Sequence, residues 1–136
     1  MQTDVRNLRH PIRVTIDDET VELVTSGYLA AAVGRTPRTI RNWRALNLLP
    51  PAPFVLHFKS FSRRRWLYPL DFVDAVAEIA AVCEIGRRMS RDRWLQWEQM
   101  VDEAEEQFIS PLLGSGVTGP IHLRSLHRGS AGLPKH

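Results

Sequence analysis

Residues 25–46 read TSGYLAAAVGRTPRTIRNWRAL and predict two short helices with a tight turn between them. Thr25 supplies a side-chain oxygen for the first turn of one helix, and the alanines that follow favour helix strongly. Gly34 ends that helix because glycine readily adopts the positive φ that follows a last turn. Thr36 and Pro37 then begin the second helix as its N-cap and its first helical residue. Two such helices around a glycine indicate a helix-turn-helix.

The second predicted helix has an apolar side and a polar side. Ile40, Trp43 and Leu46 recur at helical spacing and are expected to pack on the first helix. Arginine, threonine and asparagine occupy the remaining surface of the helix. Such a helix fits the major groove of DNA, where arginine pairs with guanine and asparagine with adenine. The side chains predicted to contact bases are Arg38, Arg41 and Asn42.

Other cationic and hydroxyl side chains near this helix are predicted to contact the DNA backbone. Thr36 and Thr39 lie near the helix N-terminus, whose free N–H groups attract phosphate. Residues 54–58 and 66–68 read as two strands of a β-ribbon with a basic tip, which is typical of a wing. Cations of a wing contact phosphates or the minor groove. The cations assigned to such contacts are Arg35, Arg44, Lys59, Arg63, Arg64 and Arg65.

Positive charge is concentrated in the same part of the chain, although the net charge is only +3. From Arg35 to Arg65 there are eight Lys or Arg residues and no Asp or Glu. A block of one sign focuses a potential that suits a polyanion, so double-stranded DNA is the expected partner. A solvated basic surface without a ligand is the alternative.

Four segments are predicted along the 136 residues. They are an arm with a β-hairpin over residues 1–24, a winged helix-turn-helix DNA-binding domain over 25–88, a C-terminal helix over 89–111 and a flexible tail over 112–136. The tail is assigned from its glycine, serine and proline content without hydrophobic periodicity. The expected fold class is therefore mainly α: a winged helix-turn-helix with a β-hairpin wing, an N-terminal β-hairpin and two C-terminal helices.

An apolar stripe runs along the C-terminal helix at spacings of three and four residues. It consists of Trp94, Trp97, Val101, Ala104 and Phe108. One interpretation is the seam of a homodimer, which would bring two recognition helices to two half-sites on DNA. The other is packing on the chain's own helix over residues 70–88. The sequence leaves both interpretations open.

Residues 24–51 resemble the helix-turn-helix of the MerR family. The matching positions are Thr25, Leu29, Ala30, Gly34, Arg38, Thr39, Ile40, Arg41, Trp43, Leu48 and Leu49. Residues 65–68, followed by Asp71, are similar to that family's exit from the wing. Asn42 and Asn47 depart from the family pattern, and no counterpart of its effector domain is found. The resemblance implies a small transcriptional regulator that takes no small-molecule effector.

Two further functions stay open. The chain also resembles small phage and plasmid excisionases, which share the winged scaffold. One is an excisionase or recombination directionality factor that bends DNA beside an integrase. The other is a phage DNA-packaging or assembly component that grips viral DNA within an oligomer. All three functions use the same cationic helix.

We expect neither an enzyme nor a metal or cofactor site. No nucleophile has a base partner, and Cys83 stands alone on an apolar helix face as a core residue does. The histidines lack cysteine or carboxylate partners at metal-ligand spacing. They are His10, His57, His122, His127 and His136. A single cysteine and the lack of a long apolar run favour a cytoplasmic protein with no membrane partner.

Overall fold

A computed structural model of the chain describes residues 10–16, 18–57, 64–86, 88–114, 120–125 and 131–132. The strands are β1 Ile12–Ile16, β2 Glu19–Thr25, β3 Phe54–His57, β4 Arg64–Pro69, β5 Ile121–Ser125 and β6 Ala131–Gly132. The helices are α1 Ser26–Val33, α2 Pro37–Ala45, α3 Leu70–Val82, α4 Arg91–Phe108 and α5 Ser110–Leu113. None of the helices in these ranges combines the length and the apolar character that crossing a bilayer requires.

All six strands belong to one mixed sheet in the order β1-β2-β4-β3-β5-β6. Neighbouring strands run antiparallel except for β3 and β5, which are parallel. The sheet is curled like a half-barrel, and the two-residue β6 approaches β1 at the far edge. The curl gives the sheet an inner face and an outer face.

The inner face of the sheet carries its own apolar core. Because side chains alternate between the faces of a strand, every second residue of β1 and β3 points inward. The buried members of this core are Ile12, Val14, Ile16, Leu23, Phe54, Leu56, Leu67 and Leu123. They come from five strands, so the curl of the sheet is what brings them together.

The outer face carries the larger core, in which helices cover one end of the sheet. Val24 of β2 and Tyr68 of β4 are register partners on this face. They pack with buried residues of α1, α2, α3 and α4. The ring of Tyr68 stacks on that of Phe72 with centroids 5.7 Å apart, which ties β4 to α3. The helices therefore form a layer on one side of the sheet.

The prediction of a mainly α winged helix-turn-helix is wrong, since the chain is a mixed α/β protein. Both β-hairpins exist, but neither stands apart from the body of the molecule. β2 pairs with β4 and β3 pairs with β5, so the hairpins and part of the tail form one sheet. The hydrophobic pattern of a strand shows its two faces and does not show which other strand it pairs with.

Part of the predicted flexible tail is also ordered. Within residues 112–136, the end of α5 covers residues 112 and 113, and β5 covers residues 121–125. Leu123 of β5 is fully buried in the inner core. A strand therefore stands at residues 121–125 of the predicted flexible tail. Ile121 and Leu123 are the two apolar side chains at strand spacing in it, too few to give a periodic signal.

The helix ends follow the local signals in the sequence. The side chain of Thr25 accepts a hydrogen bond from the Tyr28 amide at 3.1 Å, and Gly34 ends α1 with φ 71°. α3 ends at Val82, short of the predicted residue 88, and Glu84 adopts a φ of 49° just beyond it. A left-handed residue there turns the chain toward α4.

Candidate nucleic-acid interface

The back of α2 is anchored by two buried side chains. Ile40 is fully buried, and Trp43 packs edge-on against two tryptophans of α4. The ring centroid of Trp43 lies 5.2 Å from that of Trp97 and 6.1 Å from that of Trp94. The indole N–H of Trp97 also donates to the Leu48 carbonyl at 2.7 Å, just beyond the end of α2. α4 therefore fixes the position of α2 from behind.

The front of α2 exposes the side chains that the sequence assigns to base contacts. Arg38, Arg41 and Asn42 are all exposed, and their spacing of three and four residues puts them on one side of the helix. Ala45 continues that side as a small exposed residue. Because Ala45 is small and the arginines beside it are long donors, this side of α2 can approach a partner surface closely.

The two threonines at the start of α2 are occupied by the cap. The Thr36 hydroxyl accepts from the Thr39 amide at 3.2 Å, and the two hydroxyl oxygens lie 3.1 Å apart. Thr36 is exposed, whereas Thr39 is half-buried. Their hydroxyls lie at the N-terminus of α2, where that of Thr36 caps the helix. Their role as phosphate contacts stays a prediction.

Arg35 lies just before α2 and Arg44 lies in its last turn, and both side chains contact other parts of the protein. The guanidinium of Arg35 donates to the carbonyl of Ile85 at 2.8 Å, in the connection between α3 and α4. Arg44 is half-buried beside the hydroxyl of Tyr68, which donates to the Pro50 carbonyl at 2.8 Å. Burial raises the pKa of Tyr68 to about 12, while Arg44 acts in the opposite direction. Both arginines join distant segments of the chain.

The basic residues of the β3–β4 hairpin are described only in part. Arg64 is exposed and Arg65 is half-buried, both at the start of β4. Lys59 and Arg63 lie outside the described residues. The structure thus places two of the four cations predicted for the wing on a strand inside the sheet.

Leu46 does not join the apolar side of α2, contrary to the prediction. It is 67 % exposed, because α2 ends at Ala45 and the chain turns at the C-cap position. Leu49, three residues later, takes a buried place in the core. The apolar spacing of residues 40, 43 and 46 thus runs one residue past the end of the helix.

The apolar stripe on α4 packs inside the molecule. Trp97, Val101 and Ala104 are buried, and Trp94 and Phe108 are partly buried against the same core. The stripe faces α3 and Trp43, as in the interpretation of packing within one chain. These contacts account for the stripe within one chain, and its role as a homodimer seam stays a prediction.

Sequence reasoning missed a pair of histidines on neighbouring strands. His57 Nε2 lies 2.7 Å from His122 Nδ1, within hydrogen-bond distance, although the residues are 65 positions apart. Within the described ranges, no set of three or more His, Cys, Asp or Glu side chains is arranged to hold a metal ion. No local signal marks this pair, because only the parallel pairing of β3 with β5 brings it together.

Acidic side chains are concentrated on α4, away from the basic side of α2. Glu105 is half-buried, and burial raises the pKa of its carboxyl, as do the neighbouring charges of Asp102 and Glu106. A raised carboxyl pKa means that the folded chain holds the proton more tightly than the unfolded chain. Glu105 therefore destabilises the fold when it is ionised.

Glu105→Gln is expected to raise the melting temperature at pH 7. The folded-state pKa is raised, so stability falls as the pH rises through the ordinary carboxyl pKa to the raised one. Glutamine imitates the protonated acid, and the gain should vanish at a pH below both values. Thermal unfolding at both pH values measures the effect, with the exposed Glu103→Gln as control. An equal gain at acid pH would contradict the explanation.

Comparison of the chain with protein-family models, with curated proteins and with solved structures finds no match. The physical character of the surface therefore carries the functional inference.

Proposed function

We propose that this protein binds double-stranded DNA sequence-specifically, with the exposed side of α2 in the major groove. The observation that carries the proposal is the division of α2 into a buried back and a cationic, amide-bearing front. Ile40 and Trp43 hold the back, so that Arg38, Arg41 and Asn42 face solvent together. The N-terminus of a helix adds free N–H groups that attract a nearby phosphate.

The chemistry of the front matches the hydrogen-bonding edges of base pairs. An arginine donates two hydrogen bonds to O6 and N7 of guanine, and an asparagine pairs with N6 and N7 of adenine. Ala45 leaves room for the helix to approach the groove. Arg64 adds charge without base specificity, since cations that contact phosphate strengthen binding to any sequence.

The cellular role that fits this activity best is transcriptional regulation in the cytoplasm. The resemblance of residues 24–51 to the MerR helix-turn-helix supports this role, although the sheet around the helices differs from the expected fold class. Because Arg35 and Arg44 are engaged within the protein, the proposed readout rests on the three front residues of α2.

Selection from a pool of random duplexes tests the proposal directly. The full chain is expected to enrich a short motif at moderate salt, with guanine and adenine at the positions that α2 reads. The affinity should fall steeply as salt rises, because phosphate contacts release counterions. Binding without enrichment of any motif would contradict sequence-specific readout and would favour an architectural or packaging role.

Arg41→Ala is expected to weaken binding to the selected duplex by about 1–3 kcal/mol and to relax the preference at one base pair. The reason is the loss of two donors from the centre of the exposed front of α2. Arg13→Ala is a matched control, because it removes an equal charge from an exposed position on β1. Fluorescence anisotropy on the selected duplex measures both variants. An equal loss in the two variants would refute the assignment of readout to α2.

A further inference from the structure

The helices leave part of the outer sheet face uncovered. Along β4, Leu67 belongs to the inner core and Tyr68 to the outer core beneath the helices. Trp66 and Arg64 therefore share the outer face with Tyr68, since side chains alternate along a strand. Both are exposed, and Trp66 is 41 % exposed despite its size. The outer face thus ends in an open region beyond Tyr68.

Two histidines complete this open region from the neighbouring strands. On β3, Val55 pairs with Trp66 and His57 pairs with Arg64. On β5, His122 pairs with Val55 from the other side. Val55 is fully buried between Trp66 and His122, which flank it on the same face. We name this surface the sheet platform; it consists of His57, Arg64, Trp66 and His122.

The two imidazoles of the sheet platform lie edge to edge. Their facing nitrogens are 2.7 Å apart, their centroids are 5.0 Å apart and their planes differ by 24°. The centroid separation is as large as the N···N distance and the two distances from each centroid to its facing nitrogen added together, so the facing nitrogens lie on the line between the centroids. The rings therefore do not lie one above the other, and together they form a nearly flat surface wider than a single ring.

The charge of the sheet platform selects among flat ligands. β3, β4 and β5 contain no Asp or Glu, and Arg64 is exposed beside the rings. Aromatic side chains that stack on bases, combined with cations that follow the backbone, are the means by which proteins hold single-stranded nucleic acid. Bases inside a duplex are already stacked on each other, so such a surface suits unpaired nucleotides.

We propose that the sheet platform binds a short stretch of single-stranded nucleic acid. Trp66 stacks on one base, the paired imidazoles contact another, and Arg64 contacts the intervening phosphate. Trp66 and His122 stand on strands that are two spacings apart, roughly 10 Å, so separate bases fit on them. The stacking side chains of this site are distinct from the front of α2 and do not depend on duplex binding; Arg64 is the one side chain that both proposals use.

The test uses the full chain and a labelled oligothymidylate of about twelve nucleotides, a length in the range that single-strand-binding domains cover. Trp66→Ala is expected to weaken binding by roughly 5- to 150-fold, the effect of losing one stacked base. Trp66→Phe retains a stacking ring and should retain most of the affinity. Leu95→Ala, at an apolar position 53 % exposed on α4, is the matched control and should change nothing.

A second measurement places the contact at one residue. Trp43 and Trp97 are buried and Trp94 is partly buried, so Trp66 is the tryptophan most open to a base. Oligothymidylate should quench its fluorescence in the wild-type chain, and Trp66→Phe should remove the quenching while binding persists. Failure of the wild-type chain to bind at micromolar concentration, or equal affinity of Trp66→Ala and wild type, overturns the proposal.

The same experiment separates this proposal from the proposed function. Arg41→Ala should weaken binding to the selected duplex and leave oligothymidylate binding within twofold of the wild-type value. Trp66→Ala should do the reverse. Parallel loss of both activities in both variants would show a single shared site and would overturn the sheet platform as a separate one.

Discussion

Trp97→Ala is expected to lower the free energy of unfolding by about 3–5 kcal/mol, the range for truncating a buried tryptophan. Trp97 is fully buried and contacts Trp43 and Trp94 edge-on. Its truncation leaves a cavity between α4 and the back of α2. It also leaves the Leu48 carbonyl without the indole N–H that it accepts at 2.7 Å. Losses of this size are a large share of the stability of a small domain.

Urea unfolding followed by circular dichroism measures the effect of Trp97→Ala. Trp97→Phe should lose less, because it keeps a ring in the cavity and removes only the N–H donor. Leu95→Ala, two residues away and exposed, should stay within about 0.5 kcal/mol of wild type. A loss below about 1 kcal/mol for Trp97→Ala would contradict the packing of α4 behind α2, since buried tryptophans cost more.

Leu123→Ala is expected to lower the free energy of unfolding by about 2–5 kcal/mol, as for other buried leucines. Leu123 is fully buried in the inner core, where it lies among side chains of β1, β2, β3 and β4. Composition alone assigns this residue to a flexible tail, in which the same change would cost nothing. The substitution therefore separates the two descriptions of residues 121–125.

Leu46→Ala is the matched control for Leu123→Ala. It makes the same chemical change at a leucine that is 67 % exposed, so the expected loss is within about 0.5 kcal/mol. Thermal and urea unfolding of both variants give the comparison. Equal stability of the two variants would show that β5 contributes nothing to the inner core.

The helices were predictable because their signals are local. Thr36 caps α2 within three residues of its own position, and Gly34 ends α1 by its own φ. The exposure of Arg38 and Arg41 follows from the same short period of the helix. Leu46 marks the limit of that reasoning. The helix ends one residue before it, so its side chain is exposed to solvent instead of buried in the core.

The union of the two hairpins and β5 into one sheet was not predictable, because the pairings of β2 with β4 and of β3 with β5 join distant segments. β5 pairs with β3 across nearly half of the chain, and Leu123 has no apolar neighbours at strand spacing except Ile121. The same distance hides the contact between His57 and His122. It also hides the internal contacts of Arg35 and Arg44, whose partners at Ile85 and Tyr68 are remote in sequence.

The parallel pairing of β3 with β5 also sets the order in which the molecule can be assembled during synthesis. A ribosome completes α3 and α4 before any residue of β5 exists, since the facing histidines are 65 positions apart. Until then one edge of β3 presents unpaired N–H and C=O groups, which are templates for another chain. Long-range pairings close slowly, so the nascent protein passes through a stage with an open edge and an incomplete inner core.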